Sequence, residues 1–173
     1  MTLSHLLKAA YNQHGTSLDE ITHQSPTLVI FLRHFGCTFC REAASDISQQ
    51  RKQIEREGTQ IAFIHMGSDK DSDTFFAKYN LEDIHHIQDK SQKLYKAFEL
   101  KQGSAKQLFG LQVMARGFTT SLINRHYVGK IAGDSLQMPG IFLLHEGKVQ
   151  RSYRHKLASD RPDYTAFACP TPG

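Results

Sequence analysis

The stretch FLRHFGCTFCREAASDI, residues 31–47, sets Cys37 and Cys40 three positions apart where an apolar run gives way to a polar, alanine-containing one. Two thiols at that spacing can form a redox-active disulfide, supply half of a zinc site, or fill a core as two small residues. A structural zinc site needs two more ligands, usually from a second knuckle. Cys169, the third cysteine, has no Cys or His beside it at knuckle spacing, so no metal is expected. Of the ten histidines, the adjacent pair His85 and His86 would face opposite sides of a strand and cannot easily share one ion.

The elements that must position the two thiols lie on either side of them. After the breaker HQSP, Thr27 to Phe35 is a near-continuous apolar run of strand length, as in a strand buried on both faces. Helix signals follow at once. Cys40, Ala43, Ala44, Ile47 and Ile54 mark one face, Glu42, Asp46 and Glu55 are expected mostly off it, and Gly58 stands where the helix would stop. Residues 60–66, QIAFIHM, read as a second strand, which completes a β-α-β unit with a parallel pair and a right-handed crossover.

Cys37 therefore falls just behind a buried strand, at the first turn of a helix, where unpaired N–H groups and the helix dipole favour negative charge. Such positions lower a thiol pKa from about 8.5 into a range of roughly 3.5 to 7.5. Arg33, His34 and Arg41 add positive charge if they face the sulfur. Cys37 is the expected nucleophile. Cys40 lies one turn later on the same side and is the expected resolving thiol, attacking the mixed disulfide that Cys37 forms. His34 is a candidate proton acceptor, because imidazole titrates in the right range.

The remaining chain continues the alternation of strand and helix. Leu3, Leu6, Leu7, Ala10 and Tyr11 predict an amphipathic helix ended by Gly15, which gives an N-terminal helical cap over residues 1–24 ahead of one domain over residues 25–173. DKDSDTFFAKYN begins with capping residues and predicts a helix carrying Phe75, Phe76 and Tyr79. IHHIQD predicts a short strand, and Ser91 is the expected cap of a helix bearing Leu94, Ala97 and Phe98. Residues 101–135 have no sustained period and read as a long insertion with some helix; Gly103, Gly110, Gly117, Gly129 and Gly133 lack phosphate-loop spacing. Ile141 to His145 is a buried-type strand, HEGK a hairpin turn, and Val149, Arg151 and Tyr153 are expected on one face of the returning strand. A final helix runs through Tyr164 and Phe167.

Composition limits the function classes. The formal charge of +4 is spread along the chain, and RSYRHK at 151–156 reads as an exposed strand edge, so nucleic acid is not an expected partner. No apolar stretch reaches membrane-span or signal-peptide length, and an odd cysteine count suits a reducing compartment, which points to the cytoplasm.

Strand, CTFC, long helix, strand, and then Met138-Pro139 opening the final hairpin resembles the thioredoxin fold. The resemblance implies an α/β domain with a central mixed sheet flanked by helices, and a cis peptide at Pro139 facing the cysteines. It also implies a substrate groove in which the exposed backbone of Met138 pairs with an extended partner chain, with Pro139 beside it and Thr38 and Phe39 between the thiols. The extra strand and helix at 84–98, the insertion before AGDSLQMPG, and RHFGCTFCREAA itself are similar to the peroxiredoxin-like branch. That branch includes the alkyl hydroperoxide reductase/thiol-specific antioxidant type and the group around selenoprotein L.

The peroxiredoxin pattern Pro-x-x-x-Thr-x-x-Cys is not met: His34 stands for the threonine and Ile30 for the proline, and Gly140 follows Pro139 where those peroxidases often place an arginine. The expected activity is thiol-disulfide exchange through Cys37 and Cys40 on a protein or small-molecule disulfide. The alternatives are a peroxidase acting on peroxide and a non-catalytic redox-switch module. No bound cofactor is expected; the resemblance implies an external thiol donor such as the thioredoxin or glutathione system.

Overall fold

The apolar run beginning at Thr27 forms the central strand of a five-stranded sheet in the computed structural model, which describes residues 2–110, 113–117 and 134–169. Strand β1 (Thr27–Phe31) pairs in parallel with β2 (Gln60–His65), and β2 in parallel with β3 (His85–Gln88). On its other side β1 runs antiparallel to β4 (Gly140–His145), which turns back into the edge strand β5 (Lys148–Arg154). The order β3-β2-β1-β4-β5 is the mixed sheet expected from the sequence. All five residues of β1 are buried, because helices cover both faces of the sheet.

One face packs Leu28, Ile30, Phe63 and Ile141 against α3 (Thr38–Arg56), α4 (Asp69–Ala77) and α8 (Tyr164–Ala168). The other packs Val29, Phe31, Ile64 and Phe142 against α1 (Leu3–Ala9), α2 (Leu18–Gln24) and α5 (Lys93–Ala97). Between α5 and the final hairpin lie α6 (Ala105–Phe109) and α7, a helical segment at 113–117, so the insertion does carry some helix. Residues 111–112 and 118–133 of that insertion, with Gly129 and Gly133, lie outside the described residues. Among the described residues no helix is long and apolar enough to cross a membrane.

Several local expectations are corrected. Helix α1 ends at Ala9, short of the expected Tyr11, and a second helix, α2, which was not expected, stands beyond the Gly15 turn and takes in His23 and Gln24 of HQSP. Its signal is present in the sequence: Ser17 accepts from the Glu20 N–H while the Glu20 carboxylate accepts from the Ser17 N–H, a reciprocal cap. Ser68, just ahead of the quoted DKDS stretch, caps α4. The start of α5 is held by the Asp89 carboxylate, which accepts from the N–H groups of Lys93 and Leu94; Ser91 only donates its hydroxyl to that carboxylate.

In β5 a register shift opposite Leu143/Leu144 breaks the expected single face. Val149 pairs with Leu144 and Arg151 with Leu143, and adjacent residues of β4 face opposite sides, so Val149 and Arg151 do too. Helix α3 runs for nineteen residues across the first face of the sheet and stops where expected, at Gly58 with φ +80°.

Tyr95 ties this frame to the loop that carries the cysteines. Its ring is fully buried edge-on to Phe31, and its hydroxyl donates to the carbonyls of Leu32 (2.6 Å) and Ile64 (3.1 Å), where β1 and β2 end. Tyr95→Phe would leave those carbonyls without their side-chain donor, so a loss of about 1–3 kcal/mol in unfolding free energy is expected, read by urea denaturation.

Candidate active site

Where β1 stops, the chain stays buried through Leu32, Arg33, His34 and Phe35 but leaves the sheet to reach the start of α3. Cys37 is the N-cap residue of that helix, the place usually taken by Ser, Thr, Asp or Asn. Its sulfur lies over the N–H groups of Phe39 and Cys40 without closing a cap hydrogen bond of ordinary geometry, so a negative charge there meets the positive end of a 19-residue helix. Cys40 sits one turn on, and both thiols are free and buried.

Arg33 joins the two sulfurs. Its backbone N–H donates to Cys40 Sγ (3.2 Å), and its Nη1 donates to Cys37 Sγ (3.4 Å). The guanidinium is 5% exposed and spends its other donors on the carbonyls of Gln137 (Nε, 3.1 Å) and Ser135 (Nη2). A buried cation four residues before Cys37 is the charge that the sequence placed near the sulfur. The two thiols are driven apart by these surroundings. The Cys40 S–H donates to the Cys37 sulfur, and with the Arg33 charge and the helix N–H groups this outweighs burial and pulls the Cys37 pKa down to about 6. Burial and the adjacent Cys37 charge push the Cys40 thiol up, so it keeps its proton.

The supporting residues are distributed differently from the expectation. Thr38 is buried, and Phe39 packs between the main core and a small cluster of Leu108, Val113, Met138 and Ala158. Pro139 lines a cleft with Cys40 and Phe39, yet its peptide bond is trans, contrary to the implied cis proline. Met138 is buried: its N–H donates to the Lys101 carbonyl (3.1 Å) and its carbonyl accepts from the Gln137 amide (3.1 Å). The backbone that was expected to receive a partner chain is already bonded to the start of the insertion, which bridges there through Gln102 and Gln137.

His34 is buried, and its Nδ1 has no hydrogen-bond partner among the described residues. Burial first, then the Arg33 charge, lower its pKa to about 4, which makes it a neutral ring and a weaker base than the sequence promised. Arg41 donates its Nε to the Phe35 carbonyl; the guanidinium that donates to Cys37 belongs to Arg33.

Sequence reasoning missed a second ionic layer behind Cys40. Glu42 and Asp46, expected off the apolar face, are buried at 3% and 5% exposure. Asp46 takes a two-pronged bond from Arg161 (2.6 and 2.8 Å), and Glu42 takes one from Arg116 (2.5 Å), whose Nε also donates to the Ser159 carbonyl. Charged partners make the burial tolerable. The i, i+4 spacing of the two acids was visible; their arginines, 74 and 115 positions further on, were not.

The histidine pair is structural. His85 is bonded through both ring nitrogens, to Asn12 and Gln60, while His86 stacks on Phe76 with centroids 4.4 Å apart. Among the described residues no cluster of three or more His, Cys, Asp or Glu could hold a metal ion.

Comparison with known proteins places this geometry. A sequence profile described as AhpC/TSA antioxidant enzyme matches residues 46–159, a stretch that begins just after the two thiols. A prostamide/prostaglandin F synthase of Xenopus tropicalis is 26% identical over 161 residues, covering 92% of this chain and 79% of that protein. One from Salmo salar is 25% identical over 146 residues, covering 83% and 72%. Among solved structures, a cysteine-to-serine variant of PrxQ from Xylella fastidiosa superposes with a TM-score of 0.65 at 15% identity, covering 96% of this chain and 89% of that one. The bacterioferritin comigratory protein of Xanthomonas campestris gives 0.58 at 19% identity, covering 84% and 78%. The backbone is thus the thioredoxin-like fold of the peroxiredoxins.

Because only the thiolate is a strong nucleophile, alkylation of Cys37 by iodoacetamide should rise with pH to a plateau, with its midpoint near 6. Arg33→Met should raise that midpoint by about one unit, and Arg33→Lys should restore part of the shift. A midpoint unmoved in Arg33→Met would show that the guanidinium does not hold the charge.

Proposed function

Because the chain belongs to the AhpC/TSA antioxidant enzyme family and is a thiol-dependent oxidoreductase of that family, we propose that it reduces hydroperoxides, with Cys37 as the attacking thiol and Cys40 as the resolving one. The observation that carries this reading is the asymmetry of the two sulfurs: Cys37 faces Arg33 Nη1 and a helix N-terminus, while Cys40 is left protonated beside it.

The Cys37 thiolate attacks the outer peroxide oxygen, the O–O bond breaks, and the alkoxide leaves to be protonated as an alcohol. Cys37 is then a sulfenic acid. Cys40 attacks its sulfur, the S–S bond forms, the S–O bond breaks, and the Cys40 proton departs with the hydroxyl as water. An external dithiol, of the thioredoxin or glutathione type, returns the disulfide to two thiols.

Arg33 serves both halves of the first step, since a fixed cation favours the thiolate before attack and the alkoxide that develops during it. A small substrate is favoured over a protein disulfide because the Met138 backbone, which an extended chain would need, is occupied by Lys101 and Gln137. The threonine and proline that bind peroxide in typical peroxiredoxins are absent, so Arg33 and the helix N–H groups carry that task here.

Cys37→Ser should abolish hydroperoxide consumption in a thioredoxin-coupled assay. Cys40→Ser should keep the first turnover and accumulate a sulfenic acid at Cys37, detected by dimedone adduct mass. Retained turnover in Cys37→Ser would sink the assignment.

A further inference from the structure

Next to the Cys37 end of α3 the surface opens into a hollow that the redox step leaves unused. Along α4, Lys70 and Thr74 are four residues apart, and Lys78 follows at the same interval at the helix C-cap, so the three lie along one side. Arg41 of α3 stands on the opposite rim. Between them, Phe35 and Phe75 form a floor of two stacked rings, with centroids 4.5 Å apart and 22° between planes.

This floor is fixed. Phe35 packs so closely on Gly67 that a Cβ there would overlap the ring, and Arg41 is oriented by its Nε bond to the Phe35 carbonyl (3.1 Å). The hollow and the nucleophile share one helical turn, because the Arg41 N–H donates to the Cys37 carbonyl (3.0 Å). Asp71 is the one acidic lining residue and already accepts from the Ser68 hydroxyl. Three cations therefore surround two rings with one carboxylate among them. Lys70 and Lys78 are exposed and are held in no ion pair among the described residues, which leaves them available to a ligand.

We propose that this hollow binds the anionic group of the substrate, and that the preferred hydroperoxides are amphipathic ones bearing a carboxylate, their hydrocarbon lying against the Phe35 and Phe75 edges. The inference rests on Cys37 being the peroxide-reacting thiol. Cations that meet a carboxylate beside an apolar floor distinguish a fatty-acid hydroperoxide from a neutral or fully polar one, which can satisfy only half of the lining.

The test separates binding from chemistry. Linoleate binding to Cys37→Ser protein, followed by fluorescence displacement at low salt, should weaken by about tenfold or more in the added Lys70→Glu/Lys78→Glu background. In the wild-type protein, linoleic acid hydroperoxide should oxidise Cys37 about tenfold faster than its methyl ester, a ratio that should approach one in Lys70→Glu/Lys78→Glu and in 0.5 M salt. The acid-to-ester ratio is unaffected by a general loss of folded protein, and Lys70→Gln/Lys78→Gln provides a milder second pair.

Equal rates for acid and ester in the wild-type protein, or linoleate binding unchanged in both double variants, would overturn the proposal. So would a charge reversal that slowed only recycling by a protein reductant, since the patch would then serve that partner. A protein that reduces no hydroperoxide yet binds linoleate through Lys70 and Lys78 would refute the peroxidase reading while leaving the anion site standing.

Discussion

The arrangement around the thiols depends on one buried cation. A guanidinium withdrawn from water must have its donors satisfied and its charge compensated, or its burial costs several kcal/mol. Arg33 meets that demand with two backbone carbonyls from the far end of the insertion and one sulfur from the start of α3. Each bond thereby fixes a partner: the carbonyls of Ser135 and Gln137 seat the segment entering β4, and the sulfur is held where the charge on it is most favourable. The side chain that helps to lower the Cys37 pKa is also the one that joins residues 33–37 to the last third of the chain.

Glu42 and Asp46 act as a second, complementary anchor. They place two negative charges on the inner side of α3, and their arginines come from α7 and from the loop before α8. The insertion is therefore tied to α3 at Arg116 and to the loop ahead of that helix at Arg33. Phe39 fills the space between the ties, against Leu108, Val113 and Met138. Charged residues do here what a hydrophobic contact cannot, since a bidentate pair fixes direction as well as distance.

Much of this was legible in the sequence where the signal is local. The buried strand at Thr27, the stop at Gly58 and the placement of Cys37 ahead of a long helix follow from short-range periodicity and capping chemistry, and the structure keeps them. Interactions that join distant segments were not legible. Nothing in a local window pairs Asp46 with Arg161 or puts the Lys101 carbonyl over the Met138 N–H, and it was this second contact that removed the expected docking groove. The charge on Glu42 argued for solvent because its partner lies 74 residues away. Helix α2 was missed for a different reason: its reciprocal Ser17–Glu20 cap is a local signal, but the helix it starts is only seven residues long and runs into the polar HQSP.

The choice of a cysteine as the N-cap of α3 has a thermodynamic consequence. An ordinary cap residue bonds the helix start in every redox state, whereas Cys37 closes no cap bond and can favour the helix start only through a charge that the reduced sulfur alone carries. In the proposed cycle, a Cys37–Cys40 disulfide would remove the charge that the helix N–H groups and Arg33 favour, so the oxidised form would lose that contribution to its stability. The same difference would favour reduction and so raise the potential of the proposed pair, which an external thiol would then reopen more readily. One helix start would thus act on both halves of the proposed cycle, favouring the thiolate before attack and the opening of the disulfide after it.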